Sequence, residues 1–293
     1  MVDYYSNLCY NDIMKKYILF SIIICLSNLA NAQCIGDPTG TVRSVYIVPQ
    51  LSTSQLVTNW LPILDKIGKD THQCLELKIT RSIPEFEKAF LSGKPDYAFM
   101  NPYHEVMAFK AQKYIPLVAD DKKRLDGIIV VRKDNPIQGI NELNGKAMAF
   151  PAPNSFAASL LIRSTLANKN IKIDPHYVKT HSNVYRSVIL GDVVAGGGVN
   201  YTLDREPQSV RDKLRILYTT SSYTPHPFSA HPRVPKEVRE AVINSFIDLS
   251  VTEQGQSMLD LIQIPKPVRV YYTSDYAQLE TLGLERFVQN DSD

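Results

Sequence analysis

Excess charge of one sign, metal-binding spacings and long apolar runs are all scarce in this chain, and each scarcity closes off a class of function. Thirty-two basic residues stand against 30 acidic ones over 293 positions, a formal charge of +2, and the pI is near 8.2. The only cluster of cations is Lys122-Lys123-Arg124, which reads as a solvated turn, so no nucleic-acid partner is expected. None of the 4 cysteines falls in Cys-x-x-Cys and none of the 6 histidines in His-x-x-x-His. Neither a metal site nor a cofactor is therefore expected. No Gly-x-Ser-x-Gly elbow is written, and there is no internal repeat or low-complexity tract. The apolar run Tyr17 to Leu26 is well short of the roughly 20 residues that span a bilayer. With 44% hydrophobic residues and a mean hydropathy of -0.16, the chain is globular and long enough for two lobes with separate cores.

Met14-Lys15-Lys16, the apolar run behind it and the small-x-small pattern Ala30-Asn31-Ala32 read as an export signal, residues 1–32, cleaved after Ala32. Asp3 and Asp12 ahead of the basic pair are unusual for such a signal, which points to Met14 as the true start. Lipidation is not expected, because Gln33 precedes Cys34 and Ile24 precedes Cys25. Cleavage leaves Cys34 and Cys74, and an exported pair predicts a disulfide, the alternative being two free thiols.

Along the mature chain, apolar strands alternate with helices, the pattern of an α/β fold with helices on both faces of its sheets. Strands are predicted at Val42–Val48, Leu75–Ile79, Tyr97–Met100, Ile115–Ala119, Gly127–Val131, Ala147–Phe150, Tyr177–Thr180, Val193–Gly196 and Leu214–Thr219. A helix from Ser52 should bury Leu56, Val57, Trp60, Leu64 and Ile67 and kink or restart at Pro62. Ser82-Ile83-Pro84-Glu85 is a capping box, and Asn101-Pro102 is a cap followed by proline at the first helical position. Further helices are expected at Ser155–Asn168, Asn183–Leu190 and Lys236–Leu249. The proline-rich stretch from Tyr223 to Pro235 reads as a stiff connection.

The segment from Lys146 to Ser159 is the most informative: an apolar strand runs through Pro151-Ala152-Pro153 into small residues that open a helix. The first turn of a helix leaves unpaired N–H donors and a partial positive charge, so a small oxyanion placed against Ser155 to Ala158 would find partners. The alternative is an ordinary connection capped by Asn154 or Ser155. In open α/β sheets ligands sit beyond the carboxyl ends of strands, which predicts that the turns after Val48, Met100, Phe150, Thr180 and Gly196 converge.

Five landmarks in order resemble a known family: Asp96-Tyr97-Ala98-Phe99, the stretch Gly127 to Asp134, Asn141-Glu142-Leu143-Asn144-Gly145-Lys146, the stretch Pro153 to Ala158, and Thr180-His181-Ser182-Asn183. The resemblance, over roughly Val42 to Leu249, is to the exported solute-binding proteins of phosphonate, phosphite and phosphate ABC importers. It implies the two-lobe type II periplasmic binding fold with the ligand cleft between the lobes. Lobe 1 would be 33–126 plus 223–293, and lobe 2 would be 127–222. Relatives place Ser-Thr-Ser-Gly where this chain has Ser155, Phe156, Ala157 and Ala158, so side-chain hydroxyls are fewer and an aromatic ring has entered. That departure points to a different or larger ligand. His181 matches an anion-contacting histidine, and its titration near neutral pH would make affinity pH-dependent.

The expected ligand-binding set is Gln50, Asn101, Tyr103, Asn154, Ser155, Phe156, Ala157, Ala158, His181 and Asn183, with His226 and Phe228 as weaker candidates. Gly196-Gly197-Gly198 would leave room for ligand bulk or allow a tight turn. The resemblance implies a small anionic solute, an ABC permease in the inner membrane as partner, a periplasmic location and a monomer. Two alternatives stand beside transport. One is a ligand sensor docking on a membrane kinase or cyclase. The other is a hydrolase using Ser155, His181 and Asp192, which is disfavoured because a helix-capping serine is a weak nucleophile. No enzyme activity is expected.

Overall fold

The computed structural model describes residues 34–289. The export signal, the Met14 start and the cleavage after Ala32 lie outside the described residues. Among these, twelve strands build two sheets. The strands are β1 (Ile35–Gly36), β2 (Thr41–Ile47), β3 (Gln73–Ile79), β4 (Tyr97–Phe99), β5 (Ile115–Asp120), β6 (Gly127–Arg132), β7 (Lys146–Phe150), β8 (Ile173–Tyr177), β9 (Ala195–Val199), β10 (Leu214–Thr219), β11 (Phe228–Ala230) and β12 (Pro267–Arg269). The seven-stranded sheet runs β1-β3-β2-β4-β11-β5-β12, and the five-stranded sheet runs β10-β6-β9-β7-β8. Helices α1 (Thr53–Asp70), α2 (Ile83–Leu91), α3 (Pro102–Gln112), α4 (Leu161–Asn168), α5 (His181–Leu190), α6 (Asn200–Asp204), α7 (Gln208–Arg211), α8 (Lys236–Leu249) and α9 (Glu253–Leu261) connect them.

The helix starts follow from local chemistry. Ser52 caps α1 by accepting from the Gln55 amide, and the Gln55 side chain closes the box. Asn101 caps α3 with Pro102 at its first position, and Thr180 caps α5 by accepting from the Asn183 amide. Helix α1 buries Leu56, Trp60, Ile63, Leu64 and Ile67 on the seven-stranded sheet. Each such side chain contributes about 1.5–3 kcal/mol. Trp60 sits at the centre of that core, its ring 4.9 Å from Phe99 and 6.0 Å from Phe228. Cys34 and Cys74 are both disulfide-bonded.

Four expectations need correction. Helix α1 does not restart at Pro62 but continues through it; packing of its apolar face outweighs the one backbone bond that proline removes. The stretch from Tyr223 to Pro235 is not merely a connection. Its Phe228–Ala230 is the buried strand β11, antiparallel to both β4 and β5, and prolines at 225, 227 and 232 confine it to three residues. The strand predicted at Tyr177–Thr180 is found at Ile173–Tyr177. Lys179 takes a positive φ of 75° ahead of the α5 cap, so the strand must end earlier, and β8 tolerates Pro175 because it is an edge strand. The strand predicted at Val193–Gly196 is shifted to Ala195–Val199 and takes in all three glycines.

Those glycines neither leave a space nor make a turn. A Cβ at Gly196 would lie 2.5 Å from Val184, and one at Gly198 would lie 2.5 Å from the Tyr185 hydroxyl. The same atom at Gly197 would lie 2.1 Å from the Ala158 carbonyl oxygen. Their bare faces let α5 and the turn before α4 sit directly on β9, which positions both helix starts at the carboxyl edge of the sheet.

Candidate functional site

The turn from Asn154 to Leu160 forms as a single wide helical turn, Phe156–Leu160, in which the Ser155 carbonyl accepts from the amides of both Ser159 and Leu160 at 3.0 Å. The Ser155 side chain makes no capping bond. Among the described residues, the amides of Phe156, Ala157 and Ala158 have no acceptor, as expected of a first turn. Arg163, buried on α4, donates to the Pro153 carbonyl at 2.6 Å, the Phe287 carbonyl at 2.8 Å and the Ser159 hydroxyl at 3.1 Å. It thereby ties the turn to the C-terminal segment. That segment lies on α4 and its turn, since the Leu282 carbonyl accepts from Ser164 at 2.6 Å and Gln289 bonds Asn154 through both backbone groups.

Asn101 and Asn154 face each other, but their polar groups are consumed. Asn154 Nδ2 donates to both Glu87 carboxylate oxygens at 3.0 and 2.9 Å and to the Gln289 carbonyl at 2.8 Å. Asn101 Oδ1 accepts from the His104 amide, and its Nδ2 reaches the Asn154 carbonyl at 3.4 Å. Glu87 is also 3.0 Å from His104 Nε2, so a buried polar knot joins α2, α3 and the turn. Asn183 is engaged likewise, donating to the Val178 carbonyl at 2.9 Å. Tyr103 shares one apolar cluster with Phe156, Ala157, Ala158 and Tyr223. Its hydroxyl has no partner among the described residues, and burial, with the charge of Glu285, pushes its pKa up to about 12.

A cavity of about 650 Å³ is walled by Gln50, Ser52 and Gln55 together with Lys179, His181, Tyr201 and Arg205. The starts of α1 and α5 both open into it. Tyr103 and 154–158 are not among its walls. The amides of His181 and Ser182 have no acceptor among the described residues, while His181 Nδ1 lies 3.4 Å from the Thr202 hydroxyl. Burial lowers the His181 pKa to about 4. His226, stacked on Phe99 at 5.6 Å, is lowered to about 3, chiefly by burial and then by the nearness of His104 and His181. Both rings are neutral at pH 7, so the expected titration of His181 near neutrality does not occur. In this setting they offer one N–H donor each.

The distribution of spent and free donors sorts the candidates. Gln50, Tyr201, Arg205, His226 and Gln263 make no side-chain hydrogen bond among the described residues, although all five wall this cavity or the one adjoining it. Asn101 and Asn154 have none to spare, and Asn183 has spent one of its two side-chain N–H groups on the Val178 carbonyl. Sequence reasoning did not find Tyr201, Arg205 or Gln263. They sit on or just after α6 and on the turn after α9, elements without a distinctive local signal. Phe228 lies in the core beside Trp60. No hydrogen bond links Ser155, His181 and Asp192 among the described residues, and nothing there activates a serine.

The sequence profile of the family described as ABC transporter, phosphonate, periplasmic substrate-binding protein matches residues 45–280. The chain belongs to this family of periplasmic substrate-binding proteins. Its members bind solutes for ABC transporters, so the family assignment is to a binding protein rather than an enzyme. Several solved structures share the two-lobe fold. PhnD1 from Prochlorococcus marinus, in complex with methylphosphonate, is 15% identical with a TM-score of 0.72, over 84% of this chain and 98% of that one. XAC2383 from Xanthomonas citri, bound to ATP, is 14% identical with a TM-score of 0.74, over 85% and 100%. A binding component of a phosphonate ABC transporter from Pseudomonas aeruginosa is 13% identical with a TM-score of 0.66, over 79% and 82%. No curated protein matches the chain in sequence. Among the described residues, no helix of this phosphonate-family protein is long and apolar enough to cross a membrane.

Proposed function

We propose that the protein captures a small solute bearing an oxyanion of the phosphonate, phosphite or phosphate kind in the periplasm and presents it to an ABC permease in the inner membrane. The observation that carries this reading is the ring of unspent groups around the 650 Å³ cavity: the amides of His181 and Ser182 at the start of α5, the side chain of Gln50, the Nε2 edge of the His181 ring, which has no partner among the described residues, and the cations of Lys179 and Arg205. Neutral dipoles at a helix start hold an anion without burying a full counter-charge beside it. The free amides of Phe156 to Ala158 and the Tyr103 hydroxyl supply a second set of donors for the closed form. Closure follows if the solute touches both walls at once.

Calorimetry against phosphate, phosphite, methylphosphonate, aminoethylphosphonate and sulfate should find at least one anion that binds. A flat panel with folded protein would defeat the reading. For that anion, His181→Gln should weaken binding by about 0.5–1.5 kcal/mol, the worth of a bond from an uncharged donor. Because His181 is already neutral, the ratio of wild-type to variant affinity should stay constant between about pH 6 and pH 8. A ratio that changes several-fold across that range would mean a charged histidine and would assign it a different role.

A further inference from the structure

The Lys122-Lys123-Arg124 triplet, which the sequence presents as a solvated turn, walls a second cavity of about 380 Å³ together with Tyr201, Arg205 and His226. This cavity and the 650 Å³ one share Tyr201, Arg205 and Gln263, so the two are compartments of one trough. The first alone falls in the range of roughly 300–1,000 Å³ that accommodates drug-sized ligands, far more than a phosphonate group with a methyl substituent fills. Arg205 stands at the junction, its guanidinium carbon 5.8 Å from the Tyr201 ring centroid. Among the described residues the side chains of Lys122, Lys123 and Arg205 have no ion-pair or hydrogen-bond partner, whereas Arg124 donates to Thr224 at 3.0 Å. Three carboxylates share the compartment, Asp120, Asp204 and Asp260. Asp120 is occupied by the amides of Lys123 and Lys266 at 3.0 and 2.9 Å. The free cations thus outnumber the free carboxylates.

Resting on the function proposed above, we propose that the solute is an extended organophosphorus compound with a second anionic group. The oxyanion is held at His181, and the remote anion is held by Lys122, Lys123 and Arg205. The apolar wall of Tyr201 lies between the two charged ends and sets the preferred spacing. A charged remote end matters because a long neutral substituent would leave these cations solvated and add little.

Alkane diphosphonates of increasing chain length serve as a ruler, with methylphosphonate as the short reference and aminoethylphosphonate as the cation-tailed one. Isothermal titration should show affinity rising at least ten-fold over methylphosphonate at an intermediate length and falling again beyond it. The variant K122A/K123A should lose that gain while keeping its affinity for methylphosphonate, because neither lysine walls the 650 Å³ cavity. Both changes are at exposed side chains, and circular dichroism checks that the fold is kept. No dependence on length, or a preference for the aminoethyl compound, overturns the extended-dianion proposal and leaves the oxyanion reading standing. If no compound in the series binds, both fall together.

Discussion

Replacing Glu105 with glutamine should make the protein more stable than wild type at pH 8 by an amount that vanishes near pH 4.5. Glu105 lies on α3 with no exposed surface. One of its oxygens accepts from the Ser229 hydroxyl at 2.6 Å, and the other, Oε1, has no partner among the described residues. Burial raises its pKa from 4.5 to about 7, with the Ser229 bond opposing. As pH climbs from 4.5 to 7, the unfolded chain gives up this proton while the folded one keeps it, so the unfolded state gains. Above 7 the penalty is complete. A rise of that size corresponds to about 3 kcal/mol of lost stability. The amide of the variant has no proton to lose in this range, so the stability gap between E105Q and wild type should widen by about 3 kcal/mol between the two pH values. Denaturant unfolding at each pH measures it, and parallel pH profiles for the two proteins would show that Glu105 is not held neutral. The same carboxyl bears on Tyr272 and Tyr276, whose hydroxyls are pushed up chiefly by burial and in part by its charge.

How much of this protein could be read from the chain depends on how local the cause is. Caps were legible because the side chain and the amide it accepts from are three residues apart, as with Ser82 and Glu85 or Asn101 and His104. The parallel strands β2, β3 and β4 were legible because apolar runs and helical spacing alternate. The order of motifs carried the family and its fold. What stayed hidden has non-local causes. Strand β11 has three residues hemmed by prolines and becomes a strand only because β4 and β5 leave a gap of one strand's width between them. The fate of Asn154 is decided by Glu87, 67 positions away, and by Gln289, 135 positions away. Its local context, just before a helix start, offered only a ligand contact or a cap. The trough walls Tyr201 and Arg205 sit on a five-residue helix and its C-terminal cap, which become chemically interesting only once α1 and the turn after α9 stand opposite them.

The glycine strand shows the same rule from the packing side and leads to the second large effect. Gly197→Ala should destabilise the protein by about 3 kcal/mol or more, at the upper end of what overpacking costs. The φ at Gly197 is not positive, so alanine meets no backbone strain and the whole effect is steric. Its Cβ would stand 2.1 Å from the Ala158 carbonyl oxygen and 2.6 Å from two atoms of the Phe150 ring. The first obstacle is backbone of a buried turn held by Arg163 through Pro153 and Phe287. The second is a fully buried ring, so neither can step aside the way a flexible side chain would. Gly139→Ala is the matched control: nothing lies within 4 Å of the added methyl, and a change within about 0.5 kcal/mol is expected there. If the two variants unfold at the same denaturant concentration, the turn from Asn154 to Leu160 is not seated on β9 as described. The donors at Phe156 to Ala158 would then have no fixed direction in which to offer a ligand their hydrogens.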